Sequence, residues 1–504
     1  MKTLLFSIFL FLWPLSTLLA AGSRQAAEAA GRYLETSRDQ VIGELVDLLS
    51  IPNVSSDLPN IGRNARTIAS LMRKRGLRSK ILEGDAPLVY AEMRVPGATR
   101  TLMFYSHYDG QPVDPDRWKD SQPFVPVLRN GAIENGGVII DWPESDPYQD
   151  EWRIYARSAS DDKAPIIAML AALDALKAAG IRPSSNLKFI FEGEEEAGSP
   201  HLAAYLSRYE SLLKADLLII ADGPVHPSGA PTVVFGARGI TTLEVTVYGA
   251  SRPLHSGHYG NWAPNPAIML SRLLATMKDE NGNVLVTGFY DDVAPLSRRE
   301  VEALKEVPEI ENQLKSSLGI GRAEGGGRTL AELINLPSLN VRGLRSGWVG
   351  QQARTIIPAQ ATASIDLRLV KGIDPRRQSQ RVVEHIRRQG YHVVAEAPDK
   401  ATRLRYGRLA RVVEGEGYPA QRTSMALPIC VRVVEAVEQA AGPVVQLPTM
   451  GGSVPLYLFA DRLGLAVLTL PIVNPDNNQH SPNENLRLGH LFRGIQIYAG
   501  LLAM

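Results

Sequence analysis

Three apolar runs of this chain each end in ionisable side chains, and this repetition strongly constrains the fold. "RTLMFYSHYDG" ends with His107 and Asp109, "NLKFIFEGEEE" ends in glutamates, and "ADLLIIADG" ends with Asp222. Each run has the length and composition of a buried strand. A helical pattern, "APIIAMLAALDALKAAG", lies between the first two and ends at Gly180. Strands alternating with helices predict an α/β domain with a largely parallel sheet, whose active loops follow the carboxyl ends of the strands.

The second of these runs continues into an unusual cluster of acids. Within five positions "FIFEGEEEAGSP" places Glu192, Glu194, Glu195 and Glu196. Like charges this close repel one another, and carboxylates that leave water need partners. The cluster is therefore either a solvated loop or a group of acids that faces a positive charge elsewhere in the fold.

The length of 504 residues exceeds what one hydrophobic core accommodates, so two or more lobes are expected. The pattern changes near Gly236, where "GITTLEVTVYGA" begins a period-two alternation, and further helix and strand patterns follow it. We predict an α+β sandwich-type domain over residues 237–411. It is inserted into the first domain, which comprises residues 23–236 and 412–504.

The first residues differ from the rest of the chain. Lys2 is followed by the apolar segment "TLLFSIFLFLWPLSTLLA" and then by Ala20, Ala21 and Gly22. This pattern predicts a signal peptide over residues 1–22. A membrane anchor is the alternative, because the apolar run approaches spanning length. Pro14 and the small residues favour cleavage, so we expect an exported protein, periplasmic or secreted, without stable membrane insertion.

Charge and cysteine content exclude several functional classes. The net charge of +1 gives no electrostatic reason to expect nucleic acid as a partner. The single cysteine, Cys430, cannot form an intramolecular disulfide, and its apolar surroundings are typical of a core residue. The glycine-rich "AEGGGRT" is not followed by a Lys-Ser/Thr helix start and is not interpreted as a phosphate-binding loop.

Two further polar segments complete a set of possible metal ligands. "RSASDDKAP" places Asp161 and Asp162 just before a helix, where helix capping is the simpler interpretation, and "NNQHSPNENL" carries His480 in a polar loop. Imidazole nitrogens and carboxylate oxygens are zinc ligands, and two ions about 3.5–4 Å apart can hold a hydroxide between them. Taken together, these residues supply the types of ligand that a site with two metal ions requires.

The motifs occur in the order "SHYDGQP", "ASDDKAP", "EGEEEAGS", "ADGP", "LHSGHYGN", "GGSVP" and "HSPNE". With them the chain resembles the M20 family of metallopeptidases, which contains carnosinase-like dipeptidases, glutamate carboxypeptidases and aminoacylases. The resemblance spans nearly all of the expected mature chain. It implies a catalytic α/β domain with a mostly parallel sheet that binds two metal ions. It also implies that the inserted α+β sandwich domain serves as a lid and mediates dimerisation.

The resemblance also implies roles for the residues of the site. The implied metal ligands are His107, Asp161, Glu196, Asp222 and His480. Asp161 would bridge the two metals, with His107 and Asp222 on one of them and Glu196 and His480 on the other. In the family, the peptide bond after the bridging residue, here to Asp162, is typically cis. Asp109 would orient His107, and Glu195 would be the general base.

The inserted domain is expected to contribute to the site as well. His255 of "LHSG" would reach the active site of the partner subunit and stabilise the oxyanion. Arg368 of "IDLRLV" matches the position that binds a substrate carboxylate, a task suited to a bidentate guanidinium. Without the resemblance, Arg368 would be interpreted as a surface arginine. The further substrate-binding positions are Thr355, Gly451, Gly452 and Ser453.

The resemblance implies a homodimeric peptidase with two divalent metal ions, zinc in the first instance, with cobalt and manganese as alternatives. It would hydrolyse dipeptides, or the C-terminal residues of short peptides with a free carboxylate. A hydroxide that bridges the metals would attack, with Glu195 as the base. The alternative within the same fold is an N-acyl-amino-acid deacylase. The alternative from a different class is an exported peptide-binding protein.

Overall fold

The computed structural model describes residues 15–504 except 85, 144–147, 453 and 455. The chain forms two compact units. The first extends to Val233 and resumes over Ala426–Val445 and Leu468–Met504, and the second comprises Val234–Met425 and Gln446–Val467.

The helices of the described residues are α1 (Leu15–Leu49), α2 (Leu58–Lys74), α3 (Lys163–Ala178), α4 (Leu202–Arg208), α5 (Ser256–Tyr259), α6 (Pro266–Ala275), α7 (Arg298–Glu306), α8 (Glu311–Leu318), α9 (Leu330–Ile334), α10 (Pro375–Arg388), α11 (Lys400–Arg405), α12 (Pro428–Ala441), α13 (Leu456–Leu463) and α14 (Leu488–Leu502).

The strands are β1 (Arg78–Leu82), β2 (Leu88–Met93), β3 (Thr101–His107), β4 (Val127–Arg129), β5 (Ile139–Ile140), β6 (Arg153–Tyr155), β7 (Asn186–Glu192), β8 (Leu217–Ile220), β9 (Thr232–Val234), β10 (Gly236–Ala237), β11 (Gly239–Tyr248), β12 (Leu254–His255), β13 (Ser338–Arg345), β14 (Ile356–Ile357), β15 (Gln360–Leu369), β16 (His392–Val394), β17 (Leu409–Glu414), β18 (Gln421–Arg422), β19 (Val445–Leu447), β20 (Ala466–Thr469) and β21 (Asn485–Arg487).

The large sheet has the strand order β1-β2-β7-β3-β8-β20-β9-β19, and the prediction of a mostly parallel α/β sheet is confirmed. β3 runs parallel to both β7 and β8, while β1 and β2 are antiparallel additions at one edge. In this register His107 lies opposite Glu192, and Tyr105 lies opposite Ile220. The three strands therefore end together, and the polar residues that follow them gather at one edge of the sheet.

Helix α3 begins directly after Asp162 and is buried on nearly all sides. Its sequence is rich in alanine and leucine, which favour a helix, and Pro165 is tolerated in the first turn because no helical acceptor is available there. The helix packs against β3, α1 and α14. Gly180 follows its end with a φ of 68°, a left-handed conformation that favours glycine. This packing anchors the segment that carries Asp161 and Asp162.

A small antiparallel sheet, β21-β6-β4-β5, brings a distant part of the chain to the same segment. Asn485 pairs with Tyr155, and Arg487 pairs with Arg153. The polar loop before β21, which contains His480, is thereby held beside the residues that follow β6.

The first helix runs without a break through the expected signal-peptide cleavage site. Residues 20–22 lie inside α1, and Ser23, Ala26 and Ala30 are buried. The helix packs against α3, α12 and α14. None of the helices in the described part of the chain combines the length and the hydropathy that crossing a bilayer requires.

The second unit contains a five-stranded sheet with the order β13-β15-β11-β17-β16. The central strands β11 and β15 pair antiparallel over their whole length, from Gly239 opposite Leu369 to Tyr248 opposite Gln360. Helices α6 and α10 pack on this sheet. Their apolar residues, among them Leu273 and Ile386, join the inward side chains of the strands in one core. The expectation of an α+β sandwich is confirmed.

Candidate metal centre

Two groups of potential metal ligands lie together in the first unit. The first consists of His107, Asp162 and Asp222, and the second of Asp161, Glu196 and His480. In each group, one ligand atom per residue lies within 4.8 Å of the others. The structure therefore brings together all five residues that the family resemblance implies as metal ligands, and it adds Asp162.

His107 ends strand β3 and is fully buried. Its Nε2 lies 2.9 Å from Asp161 Oδ1 and 4.0 Å from Asp222 Oδ2. Its Nδ1 faces Asp109, 3.3 Å from Oδ1 and 3.2 Å from the carbonyl oxygen. The Asp109 contacts fix the orientation of the ring and aim Nε2 at the two carboxylates, an arrangement common for histidines that bind metals.

Asp161 directs its two carboxylate oxygens to different groups. Oδ1 faces His107, whereas Oδ2 lies 3.0 Å from His480 Nε2. His480 Nε2 also lies 3.3 Å from Glu196 Oε2. A carboxylate with one oxygen toward each group has the geometry that a bridging ligand requires. The peptide bond between Asp161 and Asp162 is cis, as the resemblance implied.

Asp109 makes contacts that the sequence did not indicate. Its Oδ1 accepts a hydrogen bond from the backbone N–H of Glu195 at 3.1 Å, and its Oδ2 accepts one from Glu196 at 3.0 Å. One buried carboxylate therefore orients the His107 ring and fixes the loop after β7. The His-x-Asp spacing indicates the contact with the ring. The contact with the loop depends on the parallel pairing of β3 with β7, which no local pattern reveals.

Gln111 is a second residue that the sequence analysis missed. Its Nε2 donates a hydrogen bond to Glu196 Oε2 at 2.7 Å. It belongs to the "SHYDGQP" motif, and its place in that motif was the available signal.

Burial and mutual repulsion perturb the acids of the site. Burial raises the pKa of Glu196 to about 7 and that of Asp222 to about 6, and in both the neighbouring Asp161 adds to the effect. Burial also raises the pKa of Glu195 well above its ordinary value. For Asp161, burial opposes ionisation, but hydrogen bonds from His107 and His480 bring the pKa below its usual range. The site carries more negative charge than its histidines neutralise.

A divalent cation fits this arrangement. Asp162 is fully buried, and its Oδ1 has no hydrogen-bond partner among the described residues. Its other oxygen accepts a hydrogen bond from Ser106 Oγ at 2.6 Å. Imidazole nitrogens and carboxylate oxygens form a donor set that zinc, cobalt and manganese accept. The residues present therefore fit two divalent metal ions, and the chemistry of the donors leaves the choice of metal open.

The other two glutamates of the cluster support the loop. Glu192 accepts a hydrogen bond from the Tyr105 hydroxyl at 2.6 Å. Glu194 accepts one from the backbone N–H of His201 at 2.9 Å, and its other oxygen lies 2.8 Å from the Nδ1 of the same histidine. Both carboxylates are buried. The charge run is therefore part of the site and not a solvated loop.

In the second unit, His255 and Thr355 are neighbours. β12 pairs with β14, and Ser256 donates a backbone hydrogen bond to the Thr355 carbonyl at 3.0 Å. His255 is exposed, its Nδ1 accepts a hydrogen bond from the Gly257 N–H at 3.1 Å, and its ring lies against His258.

Arg368 and the glycine loop lie at one end of the sheet in the second unit. Arg368 pairs with Ile240 near the start of β11, and its Nε lies 3.4 Å from Asp366 Oδ2. The Gly452 carbonyl accepts a hydrogen bond from the Arg238 N–H at 3.3 Å, just before the same strand. Gly451 and Gly452 are exposed, and Ser453 lies outside the described residues.

Comparisons with known proteins point to one family. The sequence profile of peptidase family M20/M25/M40 matches residues 103–504. The chain is 27% identical to the Cys-Gly metallodipeptidase dug1 of Schizosaccharomyces pombe over 485 residues, covering 92% of this chain and 95% of the relative. It is 24% identical to the human Beta-Ala-His dipeptidase, covering 82% of this chain and 76% of that protein.

Two solved structures extend the comparison. The M20 family metallo-carboxypeptidase Sso-CP2 from Sulfolobus solfataricus is similar with a TM-score of 0.73 and 28% identity, covering 92% of this chain and 98% of the other. Human carnosine dipeptidase 1 is similar with a TM-score of 0.69 and 21% identity, covering 95% and 99%.

The prediction of a periplasmic or secreted location is wrong. Curated relatives that match 92–93% of the chain are yeast Cys-Gly metallodipeptidases. The expected cleavage site at residues 20–22 lies inside the continuous helix α1, whose following residues are packed in the fold. The first part of the expected signal peptide, residues 1–14, lies outside the described residues.

Proposed function

The chain belongs to peptidase family M20/M25/M40, and from that membership we propose that it is a dinuclear metallopeptidase that hydrolyses dipeptides with a free carboxylate. The observation that carries the proposal is the position of Asp161. Its two oxygens face His107 in one ligand group and His480 in the other.

The proposed ligands follow the two groups, except that Asp162 is assigned no metal and Asp161 is shared. His107 and Asp222 would hold one ion, Glu196 and His480 the other, and Asp161 both. Two divalent ions, when bound, polarise the scissile carbonyl and lower the pKa of water toward neutrality. Zinc is the proposed metal, because it suits this nitrogen and oxygen donor set.

Glu195 is the proposed general base. Burial raises the pKa of its carboxyl well above the ordinary value, and Asp109 fixes its backbone. A carboxylate with a raised pKa accepts a proton more readily at neutral pH and can return it afterwards. Glu195 would take a proton from the attacking water and pass it to the leaving amine.

The second unit is proposed to supply substrate recognition. Arg368, which is about one-third exposed (34%), would bind the substrate carboxylate. Thr355, Gly451, Gly452 and Ser453 would contact the peptide. His255 would stabilise the oxyanion in the site of the partner subunit, so the active enzyme would be a homodimer with residues 237–411 as its lid and dimerisation domain.

Dipeptides are the proposed first substrates, because the relatives that match most of the chain are dipeptidases. A solved structure with 28% identity is a metallo-carboxypeptidase, which supports release of C-terminal residues from somewhat longer peptides as well.

The decisive experiment is a hydrolysis screen. The purified protein, stripped with a chelator and reconstituted with zinc, cobalt or manganese, is offered Cys-Gly, β-Ala-His, tripeptides and N-acyl amino acids. We expect about two ions per chain and the fastest turnover on dipeptides, with little on the same dipeptides carrying a C-terminal amide. Faster turnover of N-acyl amino acids would make the protein a deacylase. A metal-free protein that binds peptides unchanged would make it a binding protein.

A further inference from the structure

Glu484 is a fully buried carboxylate four residues after His480, at the end of the same loop. It is the last residue of the "HSPNE" motif and is not among the implied metal ligands. Its contacts lie in the segment that leads to Asp161. It accepts hydrogen bonds from the N–H groups of Ser158 (2.9 Å), Ser160 (3.0 Å) and Asp161 (2.9 Å), and from Arg157 Nη1 (2.8 Å).

These four donors occupy the whole Glu484 carboxylate. Oε1 accepts from Ser160 and Asp161, and Oε2 accepts from Ser158 and Arg157. Backbone N–H groups that converge on one anion form a preorganised cradle, and the guanidinium adds a charge-assisted bond. Because both of its oxygens accept hydrogen bonds from these donors, Glu484 is not available as a metal ligand or a base. It holds the backbone of this segment instead.

The backbone that it holds has an unusual conformation. Ser158 has a φ of 61°, in the left-handed region that residues other than glycine seldom adopt. Its N–H reaches Glu484 from that conformation. The loop and the segment are joined twice more, by the Ala156 N–H to the Glu484 carbonyl at 3.2 Å and by Ser160 Oγ to the Asn485 carbonyl at 2.7 Å.

Glu484 therefore connects two ligand-bearing parts of the chain that are far apart in sequence. Asp161 ends the segment whose backbone N–H groups donate to Glu484, and His480 lies in the same loop as Glu484. Because a metal ion accepts only a narrow range of ligand positions, the tie between these parts determines how well Asp161 and His480 are placed for one ion.

We infer that Glu484 is a positioning residue, which sets the bridging carboxylate of Asp161 relative to His480 and thereby determines how tightly the metal ions are held. This inference rests on the proposed dinuclear site.

The test compares E484Q with D476N. A glutamine amide turns one acceptor into a donor that faces N–H groups, so the cradle loses part of its bonds. Asp476 provides a matched control because it lies in the same loop and accepts a hydrogen bond from Arg153 Nη2 at 2.6 Å. Arg153 precedes the segment that Glu484 holds.

Zinc binding is measured by titration calorimetry and by metal content after dialysis against a graded chelator. The visible spectrum of the cobalt-substituted proteins reports the ligand geometry. We expect E484Q to bind metal about 10–100-fold more weakly than the wild type, with an altered cobalt spectrum, and D476N to match the wild type. Thermal unfolding of the metal-free proteins shows whether each variant is folded.

A folded E484Q protein with the metal affinity and cobalt spectrum of the wild type would overturn the inference. A loss of metal affinity in D476N equal to that in E484Q would overturn it as well. If E484Q does not fold, E484D takes its place, because its shorter side chain keeps the charge but cannot reach all of the donors. Wild-type binding by E484D would likewise overturn the inference. A wild-type protein that binds no metal would overturn the proposed function itself, a result distinct from a defect confined to E484Q.

Discussion

Glu195 and Glu196 are adjacent, yet their side chains have different surroundings. The Glu196 carboxylate contacts His480 and Gln111 and belongs to one of the ligand groups. Glu195 belongs to neither group, although burial raises its pKa. Both backbone N–H groups are bound by Asp109. In the proposed mechanism, the same anchor would therefore present the Glu196 carboxylate to a metal and leave Glu195 to exchange protons.

Replacing Glu195 by glutamine tests the proposal that Glu195 is the base while Glu196 binds a metal. The amide keeps the size of the side chain but cannot accept a proton, so E195Q is expected to retain its metal while kcat falls by about 10²–10⁴-fold. Metal content and steady-state dipeptide hydrolysis are the measurements. E210Q is the control, because Glu210 is an exposed acid in the turn after α4, outside the site, and its replacement should keep kcat within about tenfold. Near wild-type turnover in E195Q would refute the assignment of the base.

The five predicted ligands could be selected from the sequence because each stands in a recognisable polar motif, and the structure brings them together in the two groups of potential ligands. The contacts that fix the loop carrying Glu195 and Glu196 could not be predicted. Asp109 reaches the loop after β7 only through strand pairing, and Gln111 contacts an acid that is 85 positions away. Such contacts depend on register and packing, which local patterns do not encode.

At the level of elements, the parallel strands β3 and β7 bring the residues that follow them into close contact. Tyr108 follows β3 and Gly193 follows β7. A Cβ added at Gly193 would lie 2.5 Å from the Tyr108 hydroxyl oxygen. Tyr108 is fully buried, so its ring has little room to move. Because Tyr108 and Gly193 are in such close contact, Glu195 follows the tightly packed end of strand β7.

Substituting Gly193 by alanine tests the importance of this close contact. G193A is expected to lower the free energy of unfolding by about 1–3 kcal/mol, because the new methyl group overpacks the site, and to reduce dipeptide hydrolysis. G43A is the matched control. Gly43 is exposed on α1 and has no atom near the added Cβ, so alanine should stabilise the protein by up to about 1 kcal/mol. Chemical denaturation measures both, and an unchanged stability in G193A would contradict the packing argument.

His490 on α14 introduces a pH dependence into the stability of the first unit. Burial, together with Arg487 and Arg493, lowers the pKa of this histidine from 6.5 to about 4. Its neutral form is therefore the form that the fold accommodates. The unfolded chain binds a proton near pH 6.5, but the folded protein binds one only near pH 4. The stabilisation is complete above about pH 6.5 and is lost as the pH falls toward 4, by about 3 kcal/mol in total.

H490Q should therefore show a shallower loss of stability than the wild type between pH 6.5 and pH 4. The measurement is denaturant unfolding of both proteins, each stripped of metal so that ligand protonation does not contribute through metal release. Above pH 7.5 the histidine is neutral in both the folded and the unfolded state. The difference in the free energy of unfolding between the two proteins there gives the part of the effect of the substitution that does not depend on pH. If the free energy of unfolding falls equally steeply in both proteins between pH 6.5 and pH 4, His490 is not the group that causes the pH dependence.

Most helices and strands of the first unit follow the sequence patterns closely, because long apolar runs with clear ends leave few alternatives. The N-terminal segment was the exception. An apolar run followed by Ala20, Ala21 and Gly22 is the composition of a leader peptide, but it is also that of a helix that packs through small residues. Ser23, Ala26 and Ala30 are buried within α1. Composition alone does not separate these two outcomes, whereas tertiary packing does.

At the scale of the whole molecule, the change of pattern near Gly236 marked the beginning of a second folding unit. The period-two alternation of β11 is that of a strand in an antiparallel sheet, and the helices that pack on it provide the other layer. The second unit also includes Gln446–Val467. The sequence did not indicate this later return, because the contact between helix α13 and strand β18 joins segments that no local pattern links.

The proposed role of His255 across a dimer can be tested by mixing two inactive proteins. E195Q lacks the base but keeps His255, whereas H255A keeps the base. If His255 acts in the partner's site, a mixed dimer contains one site with both groups intact. Random pairing of the two chains then restores roughly a quarter of the wild-type sites, because half of the dimers are mixed and each has one complete site.

The measurement is dipeptide hydrolysis by the two variants co-expressed with different affinity tags, compared with each variant alone. Light scattering of the wild type checks that the protein is dimeric. A double variant, E195Q/H255A, paired with the wild type provides the control, because the wild-type subunit of the mixed dimer then lacks its partner's histidine and the mixed dimers should add no activity. If His255 acts within its own subunit, each single variant has one defective group in every site, and mixing restores nothing. Recovery of activity on mixing therefore requires a residue of one subunit to act in the site of the other.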